Sequence, residues 1–580
     1  MKFRPSNFIL LPLATIVLFL SFSCNKDSDL LAEYVIEQPQ AFMVNDVVVT
    51  LANNPVVIKP LSNDTFKEPE KVVITEVTPP KMGLAEVQED NTVVYTPNTD
   101  ETGTDEFDYT TTVTNPDNSV STETGKISVT VTPEDKSTPI TGDNIYYVTT
   151  MGNSSNKGAT ESTAWDIQYA FKTAKAGDVV YIKAGNYGNV ELVTGNSGTA
   201  SKPIKFIGYS NAPGDVVSNQ GSTFTYGDKL DTNKMPLLEG KSSNGEVEGK
   251  AITINKPYTY IENFQISKYS TGLVSTGSYN SIINIVSIDA GNHNPSKNRP
   301  NASSDQYSGV GINVSGDNSI IKNCMVINSG SEAFTISADY VTHDSNKAYC
   351  DIDINPTDYY YLLVNANGNK LNNIYVERVG NLYHKGHGII LKVSAENNII
   401  QNSSVINTAL ELSFSGVKNN TIENCFVGNY DSNEGRGKIG SILIANGANN
   451  NTFKNCIVDK SSESGVKFMD WIDGSNNIND AANAGYNNLF ENCTISNVKY
   501  VIDFNSDWNY AYTPAEDNTF KDCTLKNSEY LFKVDRLNKN TKIVNSKLEN
   551  ISSFSIGSNY KLEASIDLAT TLIGCGFSKP

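Results

Sequence analysis

The stretch NNTFKNC, Asn450–Cys456, decides the fold, because close copies of it recur along the second half of the chain. Each copy pairs an early Asn with alternating apolar residues, which is typical of one short strand entered by a turn. Copies that begin between Asn397 and Asn540 start 22 to 37 residues apart, so a constant strand carries loops of different length. We therefore predict a solenoid of stacked coils. The other copies are Asn318–Cys324, Asn397–Ser403, Asn419–Cys425, Asn487–Cys493, Asp517–Cys523 and Asn540–Ser546.

Short apolar alternations, rather than a helical period, fill the stretches between these copies. Leu410, Leu412 and Phe414 share one parity, which predicts a strand with these three side chains facing the core. No stretch has the long 3.6-residue period that helical repeats need. The sequence therefore predicts an all-β chain whose main part is a right-handed parallel β-helix.

Five of the eight cysteines fall at the same phase of the repeat. Because stacked coils lie roughly 4.8 Å apart, we expect a single inward column of free, buried thiols rather than a disulfide framework. The repeated Asn is interpreted as turn chemistry, because Asn tolerates a left-handed backbone. The five cysteines are Cys324, Cys425, Cys456, Cys493 and Cys523.

The start of the chain resembles a lipoprotein signal peptide of Bacteroidetes: Lys2 and Arg4 precede an apolar run, Phe8–Leu20, and Cys24 follows it. The resemblance implies a signal over residues 1–23, acylation of Cys24 and a tether over 24–37. We therefore expect a cell-surface lipoprotein of the outer membrane that touches the membrane only through its lipid. The alternative is a cleaved secretory signal with a chance cysteine.

Two domains follow the tether. Residues 38–133 alternate with period two between turn signals, which predicts a small antiparallel sandwich. Its motifs at Leu61–Thr65, Val93–Asn98 and Thr102–Thr110 resemble cadherin-like or immunoglobulin-like modules of bacterial surface proteins, some of which bind calcium. Calcium is therefore the one candidate cofactor, and a spacer is the expected role. A polar linker over 134–143 leads to the β-helix, 144–580.

One helix is predicted at the start of the β-helix, from Thr163 to Gly177, with Asp166 completing a capping box. It would cover the open end of the solenoid. The passage Tyr146–Tyr187 resembles the opening of pectate-lyase-like β-helix proteins.

The formal net charge of −19 argues against nucleic acid as a partner. Long loops beside a flat parallel sheet would form a groove, and a groove along stacked coils suits a linear polysaccharide. We expect a monomer that binds such a polymer.

Strand parity predicts which charged side chains line this groove. Lys392, Glu411, Lys467 and Asp503 each alternate with apolar neighbours and should form an outward, mixed-charge stripe. Trp471 and Trp508, with Asp470, lie in loops beside it and could contact sugar rings. The competing interpretations are solvated surface for the charges and loop packing for the aromatic residues.

His384 and His387 flank Lys385 in YHKGHGIILK, the densest cluster of groups that exchange protons near neutral pH. The surrounding segment, Asn372–Asn402, resembles the active-site coil of polysaccharide lyase family six, which includes alginate lyases and chondroitinase B. The resemblance implies that Lys392 is the Brønsted base that removes the proton alpha to a uronate carboxylate.

Two positions depart from that family. Its Arg is expected on the next coil, which reads LELSFSG, and its calcium-holding acidic residues are replaced by the His384–His387 segment. No metal is therefore predicted at this site. Arg378, Lys385 or Arg436 could supply the cation that neutralises the substrate carboxylate, and His384 or His387 the acid.

Three functions stay open: a polysaccharide lyase, a glycoside hydrolase with two carboxylates, and a surface glycan-binding protein without catalysis. Asp470 and Asp473, which flank Trp471, form the most attractive hydrolase pair.

Overall fold

The computed structural model describes two compact units, which fall within Met1–Lys136 and Ser137–Pro580. No helix among the described residues is long and apolar enough to cross a membrane. The residues described are 41–43, 45–52, 55–62, 64–66, 71–114, 119–132, 144–216, 224–294, 309–380, 382, 386–414, 416–431, 439–469, 484–505, 514–557 and 560–579.

The first unit contains the two sheets of a β sandwich, but it is not wholly antiparallel as predicted, because Asp46–Leu51 pairs with Val120–Thr132 in parallel. Its core contains Tyr95, Tyr109, Ile127 and Val129, all without exposed surface, because alternate residues of the long strands face inward. The four-stranded sheet has the order Asp46–Leu51, Val120–Thr132, Gly103–Thr114, Val72–Val77, and the three-stranded sheet the order Val56–Ile58, Val93–Pro97, Gly83–Val87. Ala41–Phe42 pairs with Thr65–Phe66, and Pro60–Ser62 is a 3₁₀ turn.

The second unit is a parallel β-helix, as predicted, in which each coil passes through three ladders that we call front, side and rear. The front ladder contains Leu192–Val193, Lys250–Ile254, Thr271–Ser275, Val310–Val314, Glu332–Ile336, Tyr359–Val364, His387–Lys392, Ala409–Ser413 and Ile442–Ala445. The side ladder contains Asn144–Val148, Asp178–Lys183, Ile204–Tyr209, Ile320–Lys322, Thr342–Asp344, Lys370–Asn372, Ile399–Gln401, Thr421–Glu423, Thr452–Lys454, Leu489–Glu491, Thr519–Lys521, Thr541–Val544 and Ala564–Ile566. The rear ladder contains Gly185–Asn186, Pro236–Glu239, Met325–Ile327, Lys347–Cys350, Tyr375–Arg378, Ser404–Ile406, Phe426–Tyr430 and Thr571–Ile573.

Some strands run through two ladders without a break. Thr259–Ser267 and Ser281–Ile288 join side to rear. The strands that join rear to front are Ile457–Met469, Thr494–Phe504, Thr524–Val534 and Lys547–Ile556. Two short pairs complete the unit, Ser242–Ser243 with Glu246–Val247 and Ala515–Glu516 with Asn538–Lys539.

The repeated phrase builds one side-ladder strand and both of its turns. In NNTFKNC, Asn450 and Asn455 have φ of 53°, the left-handed conformation that Asn tolerates. Asn451 between them has no exposed surface, and its amide donates to Asn488 Oδ1 on the next coil at 3.0 Å. The interpretation of the repeated Asn as turn chemistry therefore holds for the first and last Asn of this phrase and is wrong for the second, which forms an inward amide ladder.

The cysteine prediction is confirmed. Cys324, Cys425, Cys456, Cys493 and Cys523 are all buried, unbridged and part of the main apolar core. The last four follow one another on consecutive coils, and each lies next to a left-handed turn residue.

The predicted helix is shorter than expected. A 3₁₀ turn occupies Glu161–Thr163, and the α-helix runs over Ile167–Thr173. Asp166 is the N-cap itself, accepting a hydrogen bond from the Tyr169 N–H at 3.0 Å, so the placement of the helix start at Thr163 was wrong. The apolar face of the helix packs into the core: Phe171 stacks on Phe206 with ring centroids 3.9 Å apart.

Candidate active site on the front ladder

The register of the front ladder places the predicted charged residues in two neighbouring outward columns. Glu411, Lys467 and Asp503 share one column, because Glu411 pairs with Leu443, Leu443 with Lys467 and Lys467 with Asp503. Lys392 pairs with Ser413 and belongs to the next column. The four residues therefore face away from the core but do not form the single stripe that we predicted.

Lys392 lies at the centre of a compact group that we call the Lys392 cluster: Lys392, Tyr359, His387, Glu411, Ser413 and Phe414. The Lys392 ammonium lies 3.1 Å from the Tyr359 hydroxyl. It also lies 5.0 Å from the centroid of the Tyr359 ring and 4.8 Å from that of Phe414. Two aromatic faces thus hold the amine through cation–π contacts, and Lys392 is half-buried.

Strained backbone surrounds this lysine. Val393 has φ of 43° and Phe414 has φ of 77°. A β-branched or bulky residue at positive φ is a genuine outlier, and such strain concentrates at functional sites. The turn at Phe414 aims its ring at Lys392, so the prediction that Phe414 faces the core with Leu410 and Leu412 was wrong.

His387 is paired with a fully buried carboxylate. His387 Nδ1 lies 2.5 Å from Glu411 Oε2, and the Ser413 hydroxyl donates to Glu411 Oε1 at 2.6 Å. The imidazole stacks on Tyr359 with ring centroids 5.1 Å apart. Burial lowers the pKa of His387, but the charge of Glu411 and its hydrogen bond outweigh burial, so the pKa of His387 is raised above 6.5.

We expect the Glu411→Gln variant to lower the pKa of His387, because it removes the charge of Glu411 while burial and the nearby Lys392 charge remain, against the smaller opposing effect of the Asp358 charge. In the native protein the imidazolium–carboxylate pair stabilises the fold at low pH, and this stabilisation is lost as pH rises from 6.5 through the raised pKa. The titration of the His387 ring protons by NMR measures the shift. His343 is the internal reference, since its burial lowers its pKa to about 3 in either protein. An unchanged His387 midpoint would contradict the pairing.

Arg378 ends the rear-ladder strand Tyr375–Arg378 and is 1% exposed. Its guanidinium donates to the Leu382 carbonyl, to the Asn407 carbonyl at 3.2 Å and to Asn407 Oδ1 at 3.3 Å. Burial lowers its pKa. These bonds fix a turn, so we do not carry Arg378 forward as the cation that contacts substrate.

Lys467 and Asp503 form a second group, and the expectation of an exposed stripe fails there. They are 1% and 0% exposed, with Lys467 Nζ 3.6 Å from Asp503 Oδ2. The Ser464 hydroxyl donates to the same Oδ2 at 2.6 Å, and Lys533 lies 3.9 Å from Oδ1. The group is a covered ion-pair network, and a charge buried in this way needs its partners.

An apolar patch separates the two charged groups on the outer face. Leu443, Ala445 and Met469 pack there against Tyr430 and Ile439. The accessible chemistry among the described residues of this face therefore lies at the Lys392 cluster. The alternation of side chains along a strand predicts the face on which a residue lies. It does not predict whether other parts of the chain cover that residue, as happens at Lys467 and Asp503.

Eight predicted residues lie outside the described residues, so their predictions stand as made. They are His384, Lys385, Arg436, Asp470, Trp471, Asp473, Trp508 and the lipidation site Cys24.

Tyr359 is the functional residue that sequence reasoning missed. The strand Tyr359–Val364 pairs with His387–Lys392 one coil later, with Tyr359 opposite His387. An alignment of YYYLLV with HGIILK could have revealed it. Among the described residues, no group of three or more His, Cys, Asp or Glu side chains is placed to hold a metal ion.

Comparisons with known proteins found one family match and several similar solved structures. The model of the bacterial Ig domain family matches residues 37–132. The chain is similar to the solved structure of a mannuronic acid specific family 6 polysaccharide lyase from human gut microbiota, with 12% identity, 71% of this chain and 82% of that chain covered, and a TM-score of 0.39.

Two further solved structures are similar at comparable levels. The catalytic domain of a GH87 α-1,3-glucanase is 13% identical to this chain. The alignment covers 84% of this chain and 75% of that chain, with a TM-score of 0.42. The mannuronan C-5 epimerase A-module of Azotobacter vinelandii has 12% identity, with 70% and 94% covered and a TM-score of 0.37. No curated protein sequence matches this chain.

Proposed function

We propose that this protein is a polysaccharide lyase that cleaves a uronate-containing glycan by β-elimination at the Lys392 cluster. The observation that carries the proposal is the convergence of the Lys392 amine, the Tyr359 hydroxyl and the His387 imidazole on the outer face of the front ladder. These three groups can supply a base, an acid and a positive charge, which are the three requirements of elimination.

The roles follow from the contacts. Lys392, as the neutral amine, takes the proton from the carbon alpha to the uronate carboxylate. The electron pair of the broken carbon–hydrogen bond forms the carbon–carbon double bond, and the bond between the β carbon and the glycosidic oxygen breaks. Tyr359, whose hydroxyl lies 3.1 Å from Lys392 Nζ, donates the proton that the leaving oxygen needs. His387, whose pKa is raised by the charge of Glu411, supplies positive charge to the uronate carboxylate in its protonated form.

The distance between Glu411 and Asp503 disfavours hydrolysis by this carboxylate pair. Glu411 and Asp503 are three coils apart in the register, which amounts to about 14 Å. The two carboxyl groups of a glycosidase lie about 5 to 9.5 Å apart. Glu411 is also bound to His387 and Ser413, and Asp503 to Lys467 and Ser464.

A panel of acidic and neutral polysaccharides tests the reaction class. We expect absorbance near 235 nm, from the unsaturated product, to rise with at least one uronate-containing polymer and with no neutral one. New reducing ends without that absorbance would mean hydrolysis, and no cleavage of any polymer would favour a binding protein. Either result would overturn the proposal.

We further propose that the protein is anchored at the cell surface through acylated Cys24, on the basis of the order of charged residues, apolar run and cysteine. The Cys24→Ala variant is expected to move from the membrane fraction to the soluble fraction, because the mature chain, which begins after the signal over residues 1–23, then carries no acyl group to insert into the bilayer. Immunoblots of both fractions measure this. Cys575→Ala is the control and should fractionate like the wild type. Membrane retention of Cys24→Ala would refute the anchor.

A further inference from the structure

Three tyrosines occupy a turn position where later coils use Asn. The turn between the front and side ladders contains a residue with left-handed backbone on each coil. That residue is Asn at positions 397, 419, 450 and 487, but Tyr258, Tyr279 and Tyr340 hold it on earlier coils with φ of 58°, 60° and 57°. A bulky residue there costs about 1–2 kcal/mol. The backbone does not require tyrosine, so the rings call for another explanation.

The backbone hydrogen bonds show that these turns lie on successive coils. Tyr279 N–H donates to the Asp317 carbonyl at 2.9 Å, Asn318 N–H to the Asp339 carbonyl at 2.9 Å, and Tyr340 N–H to the Asn367 carbonyl at 2.9 Å. The order along the axis is therefore Tyr258, Tyr279, Asn318, Tyr340 and then the turn of Gly368. Asn318 interrupts a column of aromatic rings.

The rings face along the axis of the solenoid. Tyr258 and Tyr279 stack with centroids 4.9 Å apart and planes 5° apart. The Tyr340 ring lies against Gly368, where an added Cβ would come within 2.7 Å of Cδ1 and Cε1. Tyr279 is 49% exposed and Tyr340 is 64% exposed. Tyr279 thus turns the face of its ring opposite Tyr258 toward the interval at Asn318, and the exposed Tyr340 borders the interval from the next coil.

The interval has the width of one flat ring. Two coil spacings place Tyr279 and Tyr340 about 9.6 Å apart. A ring packed against both faces needs roughly 3.5–4.0 Å on each side, or about 7–8 Å in total. One ring fits between them, and two do not.

Polar groups line the bottom of this interval. Asn318 and Asp317 are exposed, and the Asn318 amide makes no hydrogen bond to any described residue. Asp317 Oδ1 accepts the Asp339 N–H at 2.9 Å, so the carboxylate is held in place at the bottom of the interval. An amide and a carboxylate can hydrogen-bond to hydroxyl groups, whereas the carboxylate would repel an anionic ligand.

We propose that Tyr279, Asn318 and Tyr340 form a binding slot for one pyranose ring of a neutral glycan, sandwiched between the two tyrosines. The slot lies on the edge of the front ladder at which Lys392 also lies, since Lys392 ends the next front-ladder strand after the Gly368 turn. It takes a neutral sugar, whereas the Lys392 cluster would take a uronate. The slot does not depend on the proposed lyase activity.

Isothermal titration of the intact chain with neutral hexasaccharides (cello-, xylo-, manno-, malto- and laminarihexaose) and with hexaguluronate tests this. We expect at least one neutral hexasaccharide to bind and hexaguluronate to bind the slot at least tenfold more weakly. Asn318→Tyr should fill the slot and complete the column of rings, which lowers affinity at least tenfold. Tyr340→Ala should lower it by a similar factor.

The matched control is Asn419→Tyr, which places a tyrosine at the same turn position with φ of 58° on a coil outside the slot. It should bind like the wild type. Tyr340→Asn guards against misfolding, because Asn suits the left-handed turn while removing the ring; it should fold at least as stably and lose binding. Binding of no neutral hexasaccharide, unchanged affinity in Asn318→Tyr, or equal loss in Asn419→Tyr would each overturn the proposal. None of these outcomes depends on the 235 nm assay.

Discussion

The Lys392→Ala variant is expected to lose about 10³-fold in kcat/KM on the uronate polymer that the wild type cleaves. Positioned proton transfer contributes about 10²–10⁴-fold, and Lys392 is the residue we assign as base. The loss should fall on kcat, because the base acts in the transition state rather than in binding. Initial rates of 235 nm absorbance across substrate concentrations separate kcat from KM.

The variant should keep its fold, because Lys392 is half-buried and contacts Tyr359 and the buried Phe414, neither of which belongs to the main apolar core. Lys392→Arg provides the sharper version of the test. It keeps a positive charge over the two rings, but arginine stays protonated and cannot act as a base. We expect it to be as inactive as the alanine variant if the lysine is the base, and largely active if the lysine only supplies charge.

Lys454→Ala is the matched control, since Lys454 is an exposed side-ladder lysine paired with Glu423 at 3.6 Å. It should retain wild-type kinetics. If Lys392→Ala keeps more than a tenth of wild-type activity, the assignment of the base is wrong.

The fold could be predicted from the sequence because the determinants of a coil are local. The phrase NNTFKNC contains its own turns, its strand and its inward positions, so the phase of the repeat alone assigns five buried cysteines to one column. The second Asn of the phrase could not be assigned in this way. Asn450 adopts a left-handed turn and Asn451 donates a hydrogen bond to the next coil, yet the sequence shows the same residue type at both positions. Only the stacking of the coils distinguishes their roles.

The site was less predictable because it depends on contacts between coils. Parity placed Lys392 and Glu411 on the outer face, yet the partners of Glu411 are a histidine 24 residues earlier and a serine two residues later. The register that brings Tyr359 to Lys392 spans 33 residues. The exposure of Lys467 and Asp503 depends on what covers the sheet, and a two-residue period contains no information on that.

The amide ladder leads to the second large prediction, a loss of about 4 kcal/mol in the free energy of unfolding for Asn451→Leu. The ladder runs through Asn369, Asn398, Asn420, Asn451, Asn488 and Asn518, and each side-chain amide donates to the carbonyl oxygen of the next at 2.9–3.1 Å. Asn451 Oδ1 accepts two bonds from Asn420, one from its backbone N–H at 3.0 Å and one from its amide at 2.9 Å.

Leucine accepts no hydrogen bond through its side chain, so both Asn420 donors would lose this partner in a fully buried setting. A buried donor left unsatisfied costs about 1–3 kcal/mol, and the variant leaves two such donors. The Val417 carbonyl also loses the hydrogen bond that the Asn451 amide donates to it. Together these losses give the expected total. Urea denaturation followed by circular dichroism measures the change. Asn455→Gly, at the partly exposed turn of the same phrase, is the control and should cost less than about 1 kcal/mol, since glycine adopts its φ of 53° freely.

A second substitution distinguishes the ladder from a simple loss of packing. Asn420→Leu alone should cost as much as Asn451→Leu, because Asn420 accepts the Asn398 amide and backbone N–H in the same way. The double variant removes the Asn420 amide together with Asn451 Oδ1, the oxygen to which that amide donates, so the amide is no longer left without an acceptor. The free-energy cost of the double variant should therefore fall short of the sum of the two single-variant costs by at least about 1 kcal/mol. Two independent packing defects on adjacent coils would instead add. Additive costs, or an Asn451→Leu effect no larger than that of Asn455→Gly, would show that the fold does not depend on hydrogen bonding along this column.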